Sequence, residues 1–194
     1  MIMPEKLFNP DYLKHLCAKY GLTPSKKYGQ NFLIDEEPIK KMIEAAAVWS
    51  NDTVVEIGPG FGVLTLALAA RAKKVLAFEI EKKLEPYWNE IIENRKLENL
   101  EIIWGNVLHT HPFIPPPTAV MRGPAAAVVI GEGQGLPATP ASGLAWRAGV
   151  GFKVVANLPY QITSEVIRKF LETKNKPEIM VLMVLIVQEQ VKIQ

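Results

Sequence analysis

A glycine-rich stretch follows a run of β-branched residues and carries the clearest chemical signal in the sequence. The run from Val54 to Ile57 is typical of a buried strand, and Gly58, Gly60 and Gly62 follow at every second position. The apolar, alanine-rich run from Val63 to Ala70 predicts a helix. Such a turn brings bare backbone close to a ligand, and the first helical amides are unpaired and partly positive. The stretch therefore predicts a site for an anionic group, with a structural tight turn as the alternative.

A second apolar strand is predicted from Lys74 to Glu79 and ends in a carboxylate, about 20 residues past the glycines. In dinucleotide-type folds, an acid at this place hydrogen-bonds the ribose hydroxyls. The pyrophosphate fingerprint requires a third glycine three residues on, but the run from Val63 to Thr65 fills that place. A smaller nucleoside with a carboxylate tail therefore fits better than NAD. S-adenosylmethionine is such a ligand.

A third segment, from Lys153 to Thr163, combines a predicted strand with a turn whose groups suit chemistry on an aromatic amine. Such an amine is a poor nucleophile because its lone pair is delocalised into the ring. The amide oxygen of Asn157 and the backbone carbonyl of Leu158 could hold its hydrogens. Pro159 stiffens the turn, and Tyr160 offers a face for a flipped base. The segment predicts a site that works mainly by orientation, with a plain asparagine–proline turn as the alternative.

Composition and length describe a globular chain of ordinary domain size. Of the 194 residues, 48% are hydrophobic and 22% are charged, and the net charge of +2 permits an RNA partner without arguing for one. Cys17 is the only cysteine, which excludes a disulfide framework and a cysteine zinc site. With no signal-peptide pattern and no apolar run long enough for a bilayer, the sequence predicts a cytoplasmic protein.

The regular elements predicted around these segments alternate between helix and strand. Helices are predicted over Asp11 to Tyr20, from the Asp35 cap to about Val48, over Glu81 to Lys96 with a buried stripe of Leu84, Trp88, Ile91 and Ile92, and over Ser164 to Glu172. Further strands are predicted over Leu100 to Trp104 and Ile179 to Val187. This alternation predicts an α/β fold with a parallel sheet and right-handed crossovers.

The loop from Ser25 to Asp35 mixes cations, aromatic rings and amides without a helical or strand period. Lys26 and Lys27 beside Tyr28 suit a phosphate backbone with a base nearby. Solvated lysines in an ordinary loop are the alternative.

Between about Pro115 and Gly151 the alternating pattern stops, and the chain is rich in proline, glycine and alanine. A structureless loop of that length is rare inside a compact α/β domain, so we interpret the stretch as a poorly ordered insertion or a sequence artefact. Ala125 to Ile130 has the composition of a strand, but nothing around it supports one. His109 and His111 could share a metal, but without a third ligand nearby we predict no metal site.

Five motifs together resemble the small-subunit ribosomal RNA adenine dimethyltransferases, the KsgA family. They are Tyr28 to Asp35, Glu56 to Thr65, Phe78-Glu79, Gly105 to Leu108, and Asn157 to Tyr160. The resemblance covers about residues 20–115 and 152–188. It implies a class I S-adenosylmethionine-dependent methyltransferase fold, with a Rossmann-like parallel sheet and helices on both faces. It also implies methyl transfer to two adjacent adenines near the 3′ end of small-subunit rRNA, in an immature 30S-type particle, by a protein that is monomeric when complete.

The resemblance implies a role for each matching position. Around the cofactor these are Gln30, Asn31, Leu33, Gly58, Gly60, Glu79, Asn106 and Asn157. At the target base they are Asn157, Leu158, Pro159 and Tyr160, and against the RNA they are Lys26, Lys27 and Tyr28. Gly58 and Gly60 would pass beneath the methionine part, and Glu79 would hold the ribose. Asn106 would sit by the adenine of the cofactor.

Three features depart from the family pattern. Asn106 stands where the family usually has an aspartate, which implies weaker cofactor binding and no change of role. The long insertion precedes the catalytic strand. The chain ends at Gln194, where the family continues through two more strands and a helical domain that helps to grip RNA. We therefore expect residues 1–194 to be a truncated catalytic domain in which the strand from Ile179 to Val187 lacks a partner and exposes its edge.

Two other functions stay open. The macrolide-resistance type of 23S rRNA adenine methyltransferase has similar motifs, although the stretch from Tyr28 to Asp35 favours the small-subunit enzyme. A cofactor-binding remnant, or an rRNA-binding assembly factor without turnover, is the second alternative, because the C-terminal part is missing.

Overall fold

The computed structural model describes residues 5–22, 33–109, 127–131, 151–173 and 176–184. Its α-helices are α1 (Pro10–Lys19), α2 (Glu36–Ala45), α3 (Val63–Ala69), α4 (Glu85–Arg95) and α5 (Tyr160–Glu172). Its strands are β1 (Thr53–Ile57), β2 (Lys74–Glu79), β3 (Leu100–Trp104), β4 (Ala127–Gly131), β5 (Phe152–Leu158) and β6 (Ile179–Val184). Short 3-10 helices lie at Glu5–Phe8 and Lys82–Leu84.

The strands form one parallel sheet in the order β3-β2-β1-β5-β6-β4. Ile57, at the end of β1, pairs with Phe78 of β2 on one side and with Ala156 of β5 on the other. The strand order reverses at β1, because the chain first moves outward to β3 and later continues on the other side of β1. In an open parallel sheet such a switch point opens a crevice at the carboxyl ends of the strands. The predicted parallel α/β sheet is confirmed.

Apolar side chains cover both faces of the sheet. Val54 and Val75 belong to one core cluster, which also contains residues of α1, α2, α3 and α4. Val55 and Leu76 belong to a second cluster, which contains Phe170 of α5. Since neighbouring residues of a strand point to opposite faces, the first four helices lie on one face and α5 lies on the other. The prediction of helices on both faces is therefore confirmed.

One strand lies in the stretch in which we expected no supported structure. β4 pairs in parallel with β6, with Val129 opposite Val181. The expectations that Ala125 to Ile130 finds no support, and that the strand now seen as β6 lacks a partner, are therefore wrong, because β6 lies between β5 and β4. A parallel partner can come from far along the chain, so local composition could not reveal this pairing. Most of the remaining residues of 115–151 lie outside the described ranges, and their assignment as an insertion stays a prediction.

The cap of α2 is as predicted, but the helix is shorter. Asp35 Oδ1 accepts a hydrogen bond from the Glu37 N–H at 3.0 Å. The helix ends at Ala45, before the predicted Val48, and Ala47 then takes a positive φ of 44°. The backbone turn, and not the apolar spacing, sets the end of the helix.

The long amphipathic helix predicted after β2 is divided into a short 3-10 helix and α4. Leu84 and Trp88 are buried as predicted. Ile91 and Ile92 are only half-buried, and Tyr87 is buried instead. Tyr87 lies three residues after Leu84 and four before Ile91, so it belongs to the predicted stripe, and two aromatic rings of α4 lie in the core.

Candidate active site

The loop between β1 and α3, here called the glycine loop (residues 58–62), requires glycine at several positions. Gly58, Gly60 and Gly62 have φ angles of 72°, 53° and 89°, in the left-handed region that other residues disfavour. A Cβ on Gly62 would also lie 2.6 Å from Cη2 of Trp88. The Gly62 N–H donates to the Pro59 carbonyl at 2.8 Å, and α3 starts at the next residue without a side-chain cap. The predicted strand–glycine–helix arrangement is confirmed.

Glu79, at the end of β2, ties the glycine loop to the sheet. Its Oε2 accepts a hydrogen bond from the Gly60 N–H at 3.0 Å, and its Oε1 accepts one from the Glu81 N–H at 2.8 Å. Burial raises the pKa of the Glu79 carboxyl, while the N–H groups of Glu81 and Gly60 oppose that shift. Each carboxylate oxygen can accept a further hydrogen bond, so Glu79 can still take a ribose hydroxyl. The acid is predictable from the sequence, whereas its bond to the loop depends on the folded structure.

Glu56 is a buried acid of β1 that the sequence analysis did not single out. It is 1% exposed, and its Oε2 has no hydrogen-bond partner among the described residues. Burial raises the pKa of Glu56 to about 8, the Thr65 hydroxyl opposes that shift, and the charge of Glu79 adds to it. Glu56 lines the same cleft as Glu79. The available signal was a single acid inside a β-branched run, where a charged side chain is costly.

Exchanging Glu56 for glutamine is expected to stabilise the protein more at pH 8 than at pH 5. An acid whose pKa rises from 4.5 to about 8 on folding holds its proton more tightly in the folded state. Its stabilising contribution is full below the unfolded pKa and is lost as the pH rises through the folded pKa. Glutamine does not titrate. The free energy of unfolding of the variant, relative to that of the parent, should therefore grow by about 1 kcal/mol or more from pH 5 to pH 8. Urea unfolding at both pH values measures the change, and an advantage independent of pH would contradict it.

A cleft of about 370 Å³ lies at the carboxyl edge of the sheet and brings separate predicted positions together. The predicted site residues that line it are Leu33, Gly58, Gly60, Glu79, Asn106, Asn157, Leu158 and Pro159. They meet because the carboxyl ends of β1, β2, β3 and β5 lie at the same edge of the parallel sheet. Lining residues that the sequence analysis did not assign to a site include Leu22, Glu56, Ile80, Leu84, Gln161 and Ile162.

Several predicted positions lie outside the described residues. They are Lys26, Lys27, Tyr28, Gln30 and Asn31. Their roles against RNA and cofactor stay predictions. Leu22 and Leu33, which flank this stretch, both line the cleft.

Asn106 lies in the turn after β3. The N–H of the preceding Gly105 donates to the Glu79 carbonyl at 2.8 Å, and Asn106 Oδ1 accepts from the Leu108 N–H at 2.9 Å. The side-chain oxygen thus already accepts one hydrogen bond within the turn, and an amide oxygen can accept two. A carboxylate would present a second acceptor oxygen, whereas the amide presents a donor. This geometry gives a physical reason for the expected weaker binding of an adenine amine, which stays a prediction.

The Asn-Leu-Pro-Tyr turn joins β5 to α5. Pro159 has a φ of −60° and a ψ of 138°, and α5 starts directly after it at Tyr160, earlier than predicted. The Pro159 carbonyl accepts from Thr163 Oγ1 at 3.0 Å and from the Ile162 N–H at 3.2 Å, which fixes the turn. Asn157 is half-buried in the cleft lining, and Tyr160 is 57% exposed. The turn therefore presents an amide to the cleft and an exposed aromatic ring in the same short segment.

Metal ligands are not grouped in the part of the chain that the structure describes. Within it, no three His, Cys, Asp or Glu side chains are placed to hold one ion. His109 is described, but His111 is not.

Within the same ranges, every helix is too short or too polar to cross a membrane.

Residues 22–193 match the model of a family described as ribosomal RNA adenine dimethylase. The chain belongs to this family. The resemblance inferred from the sequence motifs is therefore confirmed, and the match includes the glycine loop, Glu79, Asn106 and the Asn157 turn.

Three relatives of this chain are named ribosomal RNA small subunit methyltransferase A. The protein of Dehalococcoides mccartyi is 37% identical over 171 residues, which are 88% of this chain and 48% of the relative. That of Pelotomaculum thermopropionicum is 35% identical over 176 residues, 91% of this chain and 52% of the relative. That of Moorella thermoacetica is 37% identical over 169 residues, which are 87% of this chain and 50% of the relative. The chain thus spans about half the length of the curated relatives it matches.

Two solved structures resemble the fold of this chain. A dimethyladenosine transferase from Plasmodium falciparum has a TM-score of 0.51 and 25% identity, covering 77% of this chain and 42% of its own. The 23S rRNA methyltransferase ErmE has a TM-score of 0.51 and 27% identity, covering 78% of this chain and 48% of its own. The predicted class I methyltransferase fold is confirmed.

Proposed function

We propose that this chain is the catalytic domain of an S-adenosylmethionine-dependent enzyme that dimethylates two adjacent adenines near the 3′ end of small-subunit rRNA. The observation that carries the proposal is the cleft, which brings the glycine loop, Glu79 and the Asn157 turn to one edge of the sheet. The names of the relatives support the small-subunit substrate. Because the chain spans about half of their length, the activity of the whole protein is part of the proposal.

The residues of the cleft fit S-adenosylmethionine. The volume of about 370 Å³ lies in the range of small-ligand sites. Glu79 suits the ribose hydroxyls. A Cβ at position 58 would project into open space, so glycine at this position leaves that space free for the methionine part. Glu56 Oε2, buried and unpartnered among the described residues, suits the cationic ammonium group. A buried acid of this kind gains a partner only when a cation or donor enters the cleft.

The chain's own residues orient the acceptor amine. The cofactor supplies an electrophilic methyl group when bound. The amide oxygen of Asn157 and the carbonyl of Leu158 can accept the two N–H groups of an adenine, which directs its lone pair into the cleft. The exposed ring of Tyr160 can stack on the flipped base. This arrangement works by positioning and requires no strong general base.

The proposed partner is small-subunit rRNA in an immature 30S-type particle. Lys26, Lys27 and Tyr28 would contact its backbone and a base. We propose that the complete protein acts as a monomer in the cytoplasm, where subunits assemble. The similarity to ErmE keeps 23S rRNA as a second candidate substrate, although the names of the relatives favour small-subunit rRNA.

Methyl transfer to immature 30S particles tests the proposal. The full-length protein, given S-adenosylmethionine with a labelled methyl group, is expected to label two adjacent adenines near the 3′ end of small-subunit rRNA. Fragments of 23S rRNA serve as the competing substrate in parallel reactions. Label in 23S fragments alone would favour the second candidate. Cofactor binding with no transfer to either RNA would favour an assembly factor without turnover.

A further inference from the structure

The back of the glycine loop rests on two aromatic residues of α4. The hydroxyl of Tyr87 donates a hydrogen bond to the Phe61 carbonyl at 2.6 Å, and both residues are buried. The rings of Phe61 and Tyr87 meet edge to face, with centroids 5.2 Å apart and an interplanar angle of 82°. Such aromatic pairs add orientation to simple burial. The bond therefore fixes the direction of one peptide plane in the loop.

Trp88 forms a floor beneath the last glycine of the loop. It is fully buried, and a Cβ on Gly62 would lie 2.6 Å from its Cη2 and 3.3 Å from its Cζ2. The indole ring and the Gly62 backbone are thus in close contact. The rings of Tyr87 and Trp88 are themselves 5.5 Å apart at 74°, so the two residues support the loop as one unit.

The loop is therefore held from two sides. In front, Glu79 accepts the Gly60 N–H at 3.0 Å, and behind, Tyr87 donates to the Phe61 carbonyl at 2.6 Å. Among the described residues, Phe61 and Gly62 line the cleft, whereas Tyr87 and Trp88 do not. The two aromatic residues can thus act on a ligand only through the loop.

We propose that Tyr87 and Trp88 are positioning residues for the methionine half of the cofactor, because they fix the glycine loop from behind. This inference rests on the proposed function. A loop with three glycines at positive φ has many accessible backbone states, and anchors on both sides select one. When bound as the proposed function requires, the methionine half would lie against that loop, and the adenosine half would lie against Glu79 and Asn106. Loss of the rear anchor should therefore weaken binding of the amino-acid part selectively.

The hydroxyl of Tyr87 is a permanent donor. Burial raises its pKa well above its ordinary value, so it stays protonated throughout the working range of an enzyme. Without it, a buried Phe61 carbonyl loses a donor. The substitution Tyr87→Phe removes this bond and keeps the ring.

Calorimetry with two ligands tests the proposal. S-adenosylhomocysteine carries the amino-acid part, and methylthioadenosine lacks it. Tyr87→Phe in the full-length protein is expected to weaken S-adenosylhomocysteine binding roughly fivefold to 30-fold, while methylthioadenosine affinity stays within about twofold. Equal losses for both ligands would show a merely structural role and overturn the proposal, as would unchanged affinity for both.

Tyr20→Phe is the matched control. Tyr20 packs edge-on against Tyr87, but its hydroxyl donates to Glu90 Oε2 at 3.0 Å on the exposed side. It should leave both affinities unchanged, and a selective loss would contradict the role of the Phe61 bond. Trp88→Phe, which opens space beneath Gly62, should reproduce the selective loss even if Tyr87→Phe fails to fold. Failure of the unmodified protein to bind S-adenosylhomocysteine would overturn the proposed function itself.

Discussion

Asn157→Ala is expected to lower the rate of methyl transfer about 10²- to 10³-fold while leaving cofactor binding largely intact. Asn157 ends up in the cleft lining because it is the last polar residue of β5 before the turn. Its amide oxygen is proposed to hold one hydrogen of the target amine, so its loss removes orientation at the reacting atom. Losses of this size are typical when one preorganised group of an active site is deleted. Single-turnover transfer to 30S particles, with cofactor affinity by calorimetry, measures both effects.

Asn157→Asp is the informative companion to this variant. A carboxylate keeps an acceptor oxygen at the same place, so it should retain more transfer activity than alanine does. If Asn157 had only a structural role, both variants would instead have a lower unfolding midpoint and would lose methyl transfer to the same extent. Full transfer activity in Asn157→Ala would refute the proposed orientation of the target amine.

The elements that carry the site could be predicted because their signals are local. β1 and β2 are short runs of apolar residues, and Gly58, Gly60 and Gly62 mark a turn that other residues disfavour. Glu79 was predictable from its place at the end of β2. Such patterns depend on neighbours in the chain, so an isolated sequence contains them.

The parts that were missed depend on contacts between distant segments. β4 is a strand because β6 pairs with it, and nothing near Val129 in the sequence indicates that partner. The burial of Tyr87 was missed because it depends on packing against Phe61, Trp88 and Tyr20, from three different segments of the chain. Glu56 begins one of the five motifs but was given no role, since the burial that raises its pKa comes from the packed sheet. The places of β4, Tyr87 and Glu56 thus depend on packing between segments that are far apart in the sequence.

Lys153→Ala is expected to lower the free energy of unfolding by about 3–5 kcal/mol. Lys153 Nζ lies 2.8 Å from Asp52 Oδ2, and the two side chains are only 2% and 3% exposed. The amine also donates to the Ala47 carbonyl at 2.6 Å, and Asp52 Oδ2 accepts from the Trp49 N–H at 2.7 Å. The pair thus joins β5 to the segment between α2 and β1. Removing the amine leaves a buried carboxylate without its cation, and urea unfolding measures the loss.

A surface ion pair of the same length supplies the matched control. Lys74 Nζ lies 2.8 Å from Glu101 Oε2, but these side chains are 48% and 55% exposed. Because water screens that pair, Lys74→Ala should cost less than about 1 kcal/mol. Replacing Lys153 by methionine and Asp52 by leucine together should recover much of the loss, since no uncompensated charge then stays buried. Equal losses for the two lysine variants would show that burial of the Lys153–Asp52 pair does not decide its contribution to stability.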